Sequence, residues 1–208
     1  MSINLDLSQV IENGMPVYPG DESIALQQSR RLDKDYFNDH SLAAGMHAGT
    51  HLDGPMHLTD SRVFISEIGV DSFIGQGCLL DVRGQSILGL KPEYASSVQT
   101  NSVVLLLTGC DRFYGLPSYY TDHPVVSEEL CQFFIRRKIK LLGMDMPSPD
   151  RTPFPIHKKL LAHGICSLEN LTNLDKIPIQ KSFEVIALPL KIKANAAWAR
   201  VIARWEAD

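Results

Sequence analysis

One short segment concentrates side chains that bind metal ions, His47-Ala-Gly-Thr-His51-Leu-Asp53-Gly-Pro-Met-His57. Its three histidines and its aspartate all fall on odd positions, so they would share one face of an extended chain. Imidazole nitrogens and carboxylate oxygens are ligands of divalent ions such as zinc and manganese. The segment contains no lysine that would neutralise the carboxylate. It therefore predicts a metal site.

A straight strand could not bring these ligands to one ion. Fully extended, His47 and Asp53 would lie roughly 20 Å apart, whereas zinc ligands lie about 2.0–2.2 Å from the ion. Gly49, Gly54 and Pro55 supply the required bend and argue against an ordinary helix. The alternative is that these are surface histidines in a glycine-rich turn. This interpretation explains any single histidine better than it explains the three histidines and the aspartate together.

Composition narrows the class of protein further. The chain has 208 residues, 44% of them hydrophobic, and can bury roughly 70% of its unfolded surface as one domain spanning residues 1–208. Its 20 basic and 24 acidic residues give a net charge of −4, which argues against nucleic acid or an anionic membrane as partner. Four widely spaced cysteines and the absence of a leader-like start predict reduced thiols and a cytoplasmic location.

The elements that must position the ligands are mostly short strands. Apolar runs of strand length predict a strand-rich α/β fold around a mixed sheet, at Ile3–Leu7, Cys78–Val82, Val103–Leu107, Lys140–Met144 and Glu184–Leu188. Three helices are predicted: one capped by Ser127 and ending at Lys138, one from Pro155 to Gly164, and a weaker one over Lys91–Val98. Local patterns leave the tail Ala194–Ala207 open between helix and strand.

The pattern H-x-G-T-H-x-D-x-P-x-H resembles the signature of the metal-dependent cyclase family, which includes bacterial kynurenine formamidases and isatin hydrolases. The resemblance extends to the segments 15–21, 108–109 and 143–150 and covers essentially the whole chain. The family's last signature, a histidine followed twelve residues later by a glutamate, is matched by His157 and Glu169.

Carried over residue by residue, the resemblance implies that His47, His51 and Asp53 hold a first metal ion and that His157 completes a second. Asp53 and Glu169 would bridge the two ions, which would be zinc, with manganese possible. Two carboxylates offset only half of the +4 charge of two divalent ions, which favours a bound hydroxide at neutral pH.

Four further roles follow from the resemblance. His57 would be the catalytic acid/base residue rather than a ligand. Asp145 and Ser148 would orient a metal-bound histidine by hydrogen bonding. Tyr18 would line the substrate pocket, although kynurenine formamidases typically carry tryptophan at this position, so the particular substrate is less well indicated than the chemistry.

The implied activity is metal-dependent hydrolysis of an amide C–N bond by metal-bound hydroxide. The expected substrate is a small N-formyl arylamine such as N-formylkynurenine, which would place the protein in tryptophan catabolism through the kynurenine pathway. One alternative is an isatin-hydrolase-like lactam or lactone hydrolase with one manganese ion, and another is a non-catalytic metal-binding protein. The resemblance also implies a swivelling β/β/α fold, a homodimer or homotetramer, and a strand over Ala197–Ala203.

Overall fold

A mixed sheet dominates the structure, a computed structural model that describes residues 1–207. The strands are β1 Ser2–Asp6, β2 Ala25–Arg30, β3 Asp39–Ala43, β4 His51–Asp53, β5 Ile74–Asp81, β6 Ile87–Leu88, β7 Val103–Leu107, β8 Val125–Val126, β9 Leu141–Met144, β10 Cys166–Glu169, β11 Glu184–Pro189 and β12 Ala196–Glu206. The α-helices are α1 Leu32–Asp35, α2 Tyr94–Ser97, α3 Pro117–Thr121, α4 Glu128–Arg137 and α5 Pro155–Ala162.

The main sheet closes on itself through its longest strand. Its order is β1-β12-β11-β5-β7-β9-β10-β4, and β12 also pairs with β4. The parallel pairs are β5–β7, β7–β9 and β9–β10. The antiparallel pairs include β12–β11, β11–β5, β10–β4 and β12–β4. Closure removes the free edge that β4 would otherwise present, so the strand that carries His51 and Asp53 has a partner on each side.

Apolar layers cover both faces of the central strands. Every residue of β7 is buried, because Val103, Leu105 and Leu107 face one core while Val104 and Leu106 face the other. Helices α4 and α5 pack on the second core. This two-sided burial explains why β7 is a continuous apolar run without polar alternation.

Comparison with the predicted elements confirms the fold class. The five predicted strands and three predicted helices are all present, with most of their bounds shifted by a few residues. The Ser127 hydroxyl accepts a hydrogen bond from the Leu130 N–H at the start of α4, as the capping pattern predicts. The predicted strand over Ala197–Ala203 is also confirmed, and it extends to Ala196–Glu206. Among the described residues, every helix is too short or too polar to span a bilayer.

Strand pairing explains why the tail is a strand despite good helix formers in its sequence. The first residues of β12 pair with β4, its middle with β11 and its end with β1. Its side chains alternate in burial, so that Ala199, Val201 and Ala203 enter the core while Arg200 and Arg204 are exposed. Long-range pairing with three partners outweighs local helix propensity here.

Candidate metal centre

Register in the sheet brings two predicted ligands side by side. Strand β4 carries His51 and Asp53 two residues apart on one face, and both side chains are buried. In the antiparallel pairing of β4 with β10, Glu169 lies directly opposite His51. Directly opposed residues have Cβ atoms about 4.5–5.5 Å apart, so these side chains share a small space. The His51 Nε2 and Glu169 Oε2 atoms are 3.6 Å apart.

The bend predicted from the glycines is present and carries His47 back to the same place. Gly49 has a φ of +59°, a left-handed conformation that favours glycine. After β4, Pro55–His57 forms a single turn of 3₁₀ helix. His47 and His57 consequently lie with ring centroids 4.3 Å apart, although ten residues separate them in the chain.

The last predicted ligand comes from a distant helix. His157 lies in the first turn of α5, which packs against the 3₁₀ turn that carries His57. Its Nε2 atom is 3.4 Å from Asp53 Oδ2, and its Nδ1 atom is 3.8 Å from Glu169 Oε1. The structure therefore brings together all five predicted ligands and His57.

Asp53 is the common centre of this arrangement. Its Oδ1 atom lies 2.9 Å from His47 Nδ1 and 3.4 Å from His51 Nε2. Its Oδ2 atom lies 3.4 Å from His157 Nε2 and 3.8 Å from His57 Nε2. Two groups of ligand atoms, each within a 4.8 Å span, share this carboxylate: His47, Asp53 and His57 form one, and His51, Asp53 and Glu169 form the other.

Burial and mutual contacts shift the pKa values of these groups in opposite directions. Burial opposes ionisation of Asp53, but the neighbouring histidines outweigh it and hold its pKa well below the usual range. Burial and the Asp53 charge raise the pKa of Glu169 well above its usual range. Burial lowers the pKa of His57 and brings that of His157 to about 4. At neutral pH the centre thus holds an ionised Asp53 facing neutral His57 and His157 rings.

The donor set fits a divalent cation. Both carboxylate oxygens of Asp53 and the Nε2 atom of His157 are buried, and none of the three has a well-aligned hydrogen-bond partner among residues 1–207. Buried polar atoms left unpaired are costly, whereas a cation in their midst would satisfy them all. Nitrogen and oxygen donors from histidine and carboxylate are those that zinc and manganese accept. A divalent ion is therefore the group that this centre suits, and binding it would displace protons from the ligands.

Hydrogen bonds behind His51 prepare it to act as a ligand. The carbonyl oxygen of Gly49 lies 2.9 Å from His51 Nδ1 and can only accept, so the ring proton sits on Nδ1 and the Nε2 lone pair faces the carboxylates. Asn170 Nδ2 donates to the same carbonyl at 2.8 Å, and its Oδ1 accepts from the Tyr119 hydroxyl at 2.7 Å. Sequence reasoning missed this support, although Asn170 directly follows Glu169.

Asn195 is a second residue that sequence reasoning missed. Its side-chain amide lies within hydrogen-bond distance of both His47 and His57. No motif marks this asparagine, which stands just before β12 and far from the histidines in sequence.

The centre lies beside a cavity of about 230 Å³ with aromatic walls. Tyr18 lines it, as predicted for a substrate-contacting residue, and packs edge-to-face on Tyr120 with ring centroids 5.7 Å apart. Leu58, Tyr114 and Phe154 add apolar surface. The cavity is thus suited to a small ligand with a flat apolar part placed next to the metal ligands.

The predicted role of Asp145 needs correction. Its buried carboxylate accepts hydrogen bonds from the Thr108 N–H, the Thr108 hydroxyl and the Gly109 N–H at 2.6–2.8 Å, and within residues 1–207 it has no hydrogen bond to a histidine. Burial raises the pKa of Asp145 to about 6, so at pH 7 the group is ionised and accepts all three. Asp145 follows β9, and Thr108 follows the neighbouring parallel strand β7, so the contact ties two strand ends together.

Ser148 likewise does not contact a histidine by hydrogen bonding. The residue is buried and lines the cavity, but its hydroxyl oxygen has no hydrogen-bond partner among the described residues. Its role in orienting a metal-bound ring therefore stays a prediction that no hydrogen bond within residues 1–207 supports.

Curated relatives with similar sequences match the chain over nearly its full length. The "Kynurenine formamidase" of Erythrobacter litoralis is 29% identical over 204 residues, which cover 96% of this chain and 92% of the relative. The protein of the same name from Bacillus cytotoxicus is 27% identical over 206 residues, 96% of each chain. Among solved structures, isatin hydrolase A from Ralstonia solanacearum superposes with a TM-score of 0.85 at 20% identity, covering 99% of this chain and 92% of its own.

Fold and donor set together define a closed mixed-sheet protein with a buried site suited to a divalent ion. The chain belongs to the family described as "Putative cyclase", whose model matches residues 5–151, well over half of the sequence. This confirms the family predicted from the histidine motif. His157 and Glu169 lie beyond the matched range, so their place at the centre rests on the geometry described above.

The role found for Asp145 predicts a loss of stability. An asparagine side chain at this position would have one acceptor oxygen, and its amino group would face a backbone N–H, so Asp145→Asn should lower the free energy of unfolding by about 1–3 kcal/mol. Urea denaturation followed by tryptophan fluorescence measures the change. Ser148→Ala is the matched control, because it removes a buried hydroxyl that has no partner among the described residues and should leave stability nearly unchanged. Equal stability of Asp145→Asn and the native protein would contradict this role.

Proposed function

We propose that this protein hydrolyses the amide C–N bond of a small N-formyl arylamine, of which N-formylkynurenine is one example. The observation that carries the proposal is a buried centre of three histidine ligands and two carboxylates that opens directly onto an aromatic-walled cavity. The names of the curated relatives support the same substrate class. The aromatic side chains beside the donor atoms, Tyr18 among them, suit a flat aryl group whose formyl group would face the metal centre.

The proposed cofactor is a pair of zinc ions per chain, with manganese as the alternative metal. His47, His51 and Asp53 would hold the first ion, and His157 would complete a second, with Asp53 and Glu169 shared. Both groups of donor atoms contain Asp53, which supports Asp53 as the shared ligand. A bound ion supplies Lewis acidity, which polarises a carbonyl group and makes water a better nucleophile at neutral pH.

His57 is the proposed acid/base residue. Burial lowers its pKa, so the ring is neutral near pH 7 and its Nε2 atom can take a proton from the attacking water. The same atom then gives that proton to the departing aryl nitrogen as the C–N bond breaks, which yields an aryl amine and formic acid, and the acid loses its proton to solvent as formate. Its side chain is a quarter exposed and lines the cavity, so it is accessible to substrate.

The substrate proposal predicts rapid deformylation by the metal-loaded protein. With N-formylkynurenine or formanilide, kcat/KM should exceed roughly 10⁴ M⁻¹s⁻¹ and should be lost on chelation and restored by zinc or manganese. Release of the aryl amine, followed by absorbance, measures the rate.

Isatin is the informative comparison substrate in the same assay. Ring-opening of isatin without deformylation would replace the proposal by a lactam hydrolase, and metal binding without turnover of any amide, lactam or ester would indicate a non-catalytic metal-binding protein. Either result contradicts the arylformamidase assignment.

The acid/base assignment predicts a separation between turnover and metal content. His57→Ala should reduce kcat by about 10²–10⁴ while the zinc content of the purified protein stays unchanged. Asp53→Asn is the control, because it removes the carboxylate common to both donor groups and should lower the zinc content itself. Elemental analysis beside the kinetic assay gives both numbers. Loss of zinc from His57→Ala would make His57 a ligand instead, a role that its contact with Asp53 also permits.

We also propose that the protein assembles as a homodimer or homotetramer through the hairpin of β2 and β3. Within residues 1–207 these two strands pair only with each other, and almost all of their residues are exposed. Leu32, Tyr36 and Phe37 at the tip expose 63%, 92% and 54% of their surface. An isolated two-stranded ribbon is marginally stable in water, and a second copy packed on these apolar side chains would stabilise it.

The hairpin proposal is tested by mass in solution. Light scattering after size exclusion should give two or four times 23.2 kDa for the native chain. The double variant Tyr36→Asp, Phe37→Asp should shift the mass towards one chain, because two charges would be buried in the contact. A native mass of one chain would contradict the proposal.

A further inference from the structure

The side chain of Asn195 lies between two histidines with different proposed roles, the metal ligand His47 and the acid/base residue His57. Its Nδ2 atom lies 3.1 Å from His47 Nε2 and 3.2 Å from His57 Nδ1. One atom of one amide is thus shared between a metal-ligand ring and the acid/base ring. Asn195 is absent from the cavity lining, so it acts on the site from behind the rings.

Backbone contacts hold this amide in place. The Asn195 carbonyl accepts from the Gly54 N–H at 2.9 Å, and the next residue, Ala196, pairs with Asp53 in the sheet. A Cβ atom on Gly54 would lie 3.1 Å from the Asn195 carbonyl oxygen, so glycine permits this close approach. The strand that carries Asp53 therefore also fixes the position of Asn195.

Binding of a metal ion by His47 requires one particular tautomer of its ring. Its Nδ1 atom faces the ligand space, 2.9 Å from Asp53 Oδ1 and 3.3 Å from His51 Nε2. A neutral imidazole that gives its Nδ1 lone pair to an ion carries its proton on Nε2. That N–H group needs an acceptor, and the polar side-chain atom within hydrogen-bond distance belongs to Asn195. An amide nitrogen cannot accept, whereas the amide oxygen can.

We propose that Asn195 is a positioning residue that presents its Oδ1 atom to both rings in the metal-loaded protein. A half-turn of the amide exchanges Oδ1 and Nδ2 with little change in shape, and a carbonyl oxygen has lone pairs for two donors. It accepts from His47 Nε2–H, which leaves His47 Nδ1 free for the ion. It also accepts from His57 Nδ1–H, which leaves His57 Nε2 free to take a proton.

This assignment rests on the proposed acid/base role of His57 and explains how that role is prepared. Had the proton of the neutral His57 ring been on Nε2, the ring could not accept a proton from the attacking water at that atom. With the proton on Nδ1, Nε2 receives the water proton and returns it to the leaving nitrogen. Asn195 exchanges no proton itself, and its contribution is to set the tautomer and direction of both rings.

Two variants of similar size separate this role from simple packing. Asn195→Leu keeps the volume but offers no acceptor, and it should lower kcat on formanilide by about 10–100-fold in zinc-saturated protein, with KM little changed. Asn195→Asp offers two acceptor oxygens and should retain most of the native kcat. Native kcat in Asn195→Leu would overturn the inference, and so would an Asn195→Asp variant that is as slow as Asn195→Leu.

A spectroscopic measurement on the native chain needs neither variant. Long-range ¹⁵N–¹H spectra of the zinc-loaded, histidine-labelled protein should show the His57 proton on Nδ1 and the His47 proton on Nε2. A His57 proton on Nε2 would overturn the inference. Because this spectrum requires no substrate, it decides the role of Asn195 even if no N-formyl arylamine is hydrolysed, and that kinetic failure would count against the proposed function alone.

Discussion

The rest of the site depends on one buried carboxylate. Asp53 is almost fully excluded from solvent, yet nitrogen atoms of four histidine rings approach its two oxygens within 3.8 Å. An ionised carboxylate in such a place is tolerated only where positive charge compensates it. A divalent ion provides that charge more completely than protonated imidazoles, two of which have pKa values lowered by burial. The proposed metal binding and the proposed acid/base chemistry therefore depend on the same electrostatic requirement as the local fold.

Closure of the main sheet allows Asp53 to occupy this buried position. Because β4 pairs with β10 on one side and with β12 on the other, its buried backbone groups have partners although the strand is only three residues long. The same two neighbours deliver Glu169 and Asn195 to the site. Strand register sets the spacing of His51, Asp53 and Glu169, while the bend at Gly49 and helix α5 bring His47 and His157 to them.

Around the site, some residues stabilise the fold and others line the cavity. Asp145, which sequence resemblance associated with the metal ligands, instead joins the ends of β7 and β9 through Thr108 and Gly109. The cavity wall is supplied by Tyr18, Tyr114, Tyr120 and Phe154, which come from segments outside the main sheet. The sheet thus carries His51, Asp53 and Glu169, while the turn before β4 and helix α5 add His47 and His157. Loops and short helices around these donors shape the cavity.

Much of the fold and of the candidate metal site could be predicted from the sequence alone. The spacing of His47, His51, Asp53 and His57 predicts a metal site because those residue types have few other reasons to cluster around glycines, and the apolar runs locate the buried strands because two-sided burial leaves no polar alternation. The family resemblance added His157 and Glu169. The roles of Asp145, Asn170 and Asn195 were decided only by tertiary structure. Their side chains act through partners 36 or more residues away, and local sequence patterns carry no information about which strands become neighbours. The tail shows the same physical limit: its residues favour a helix locally, and pairing with three strands makes it β12.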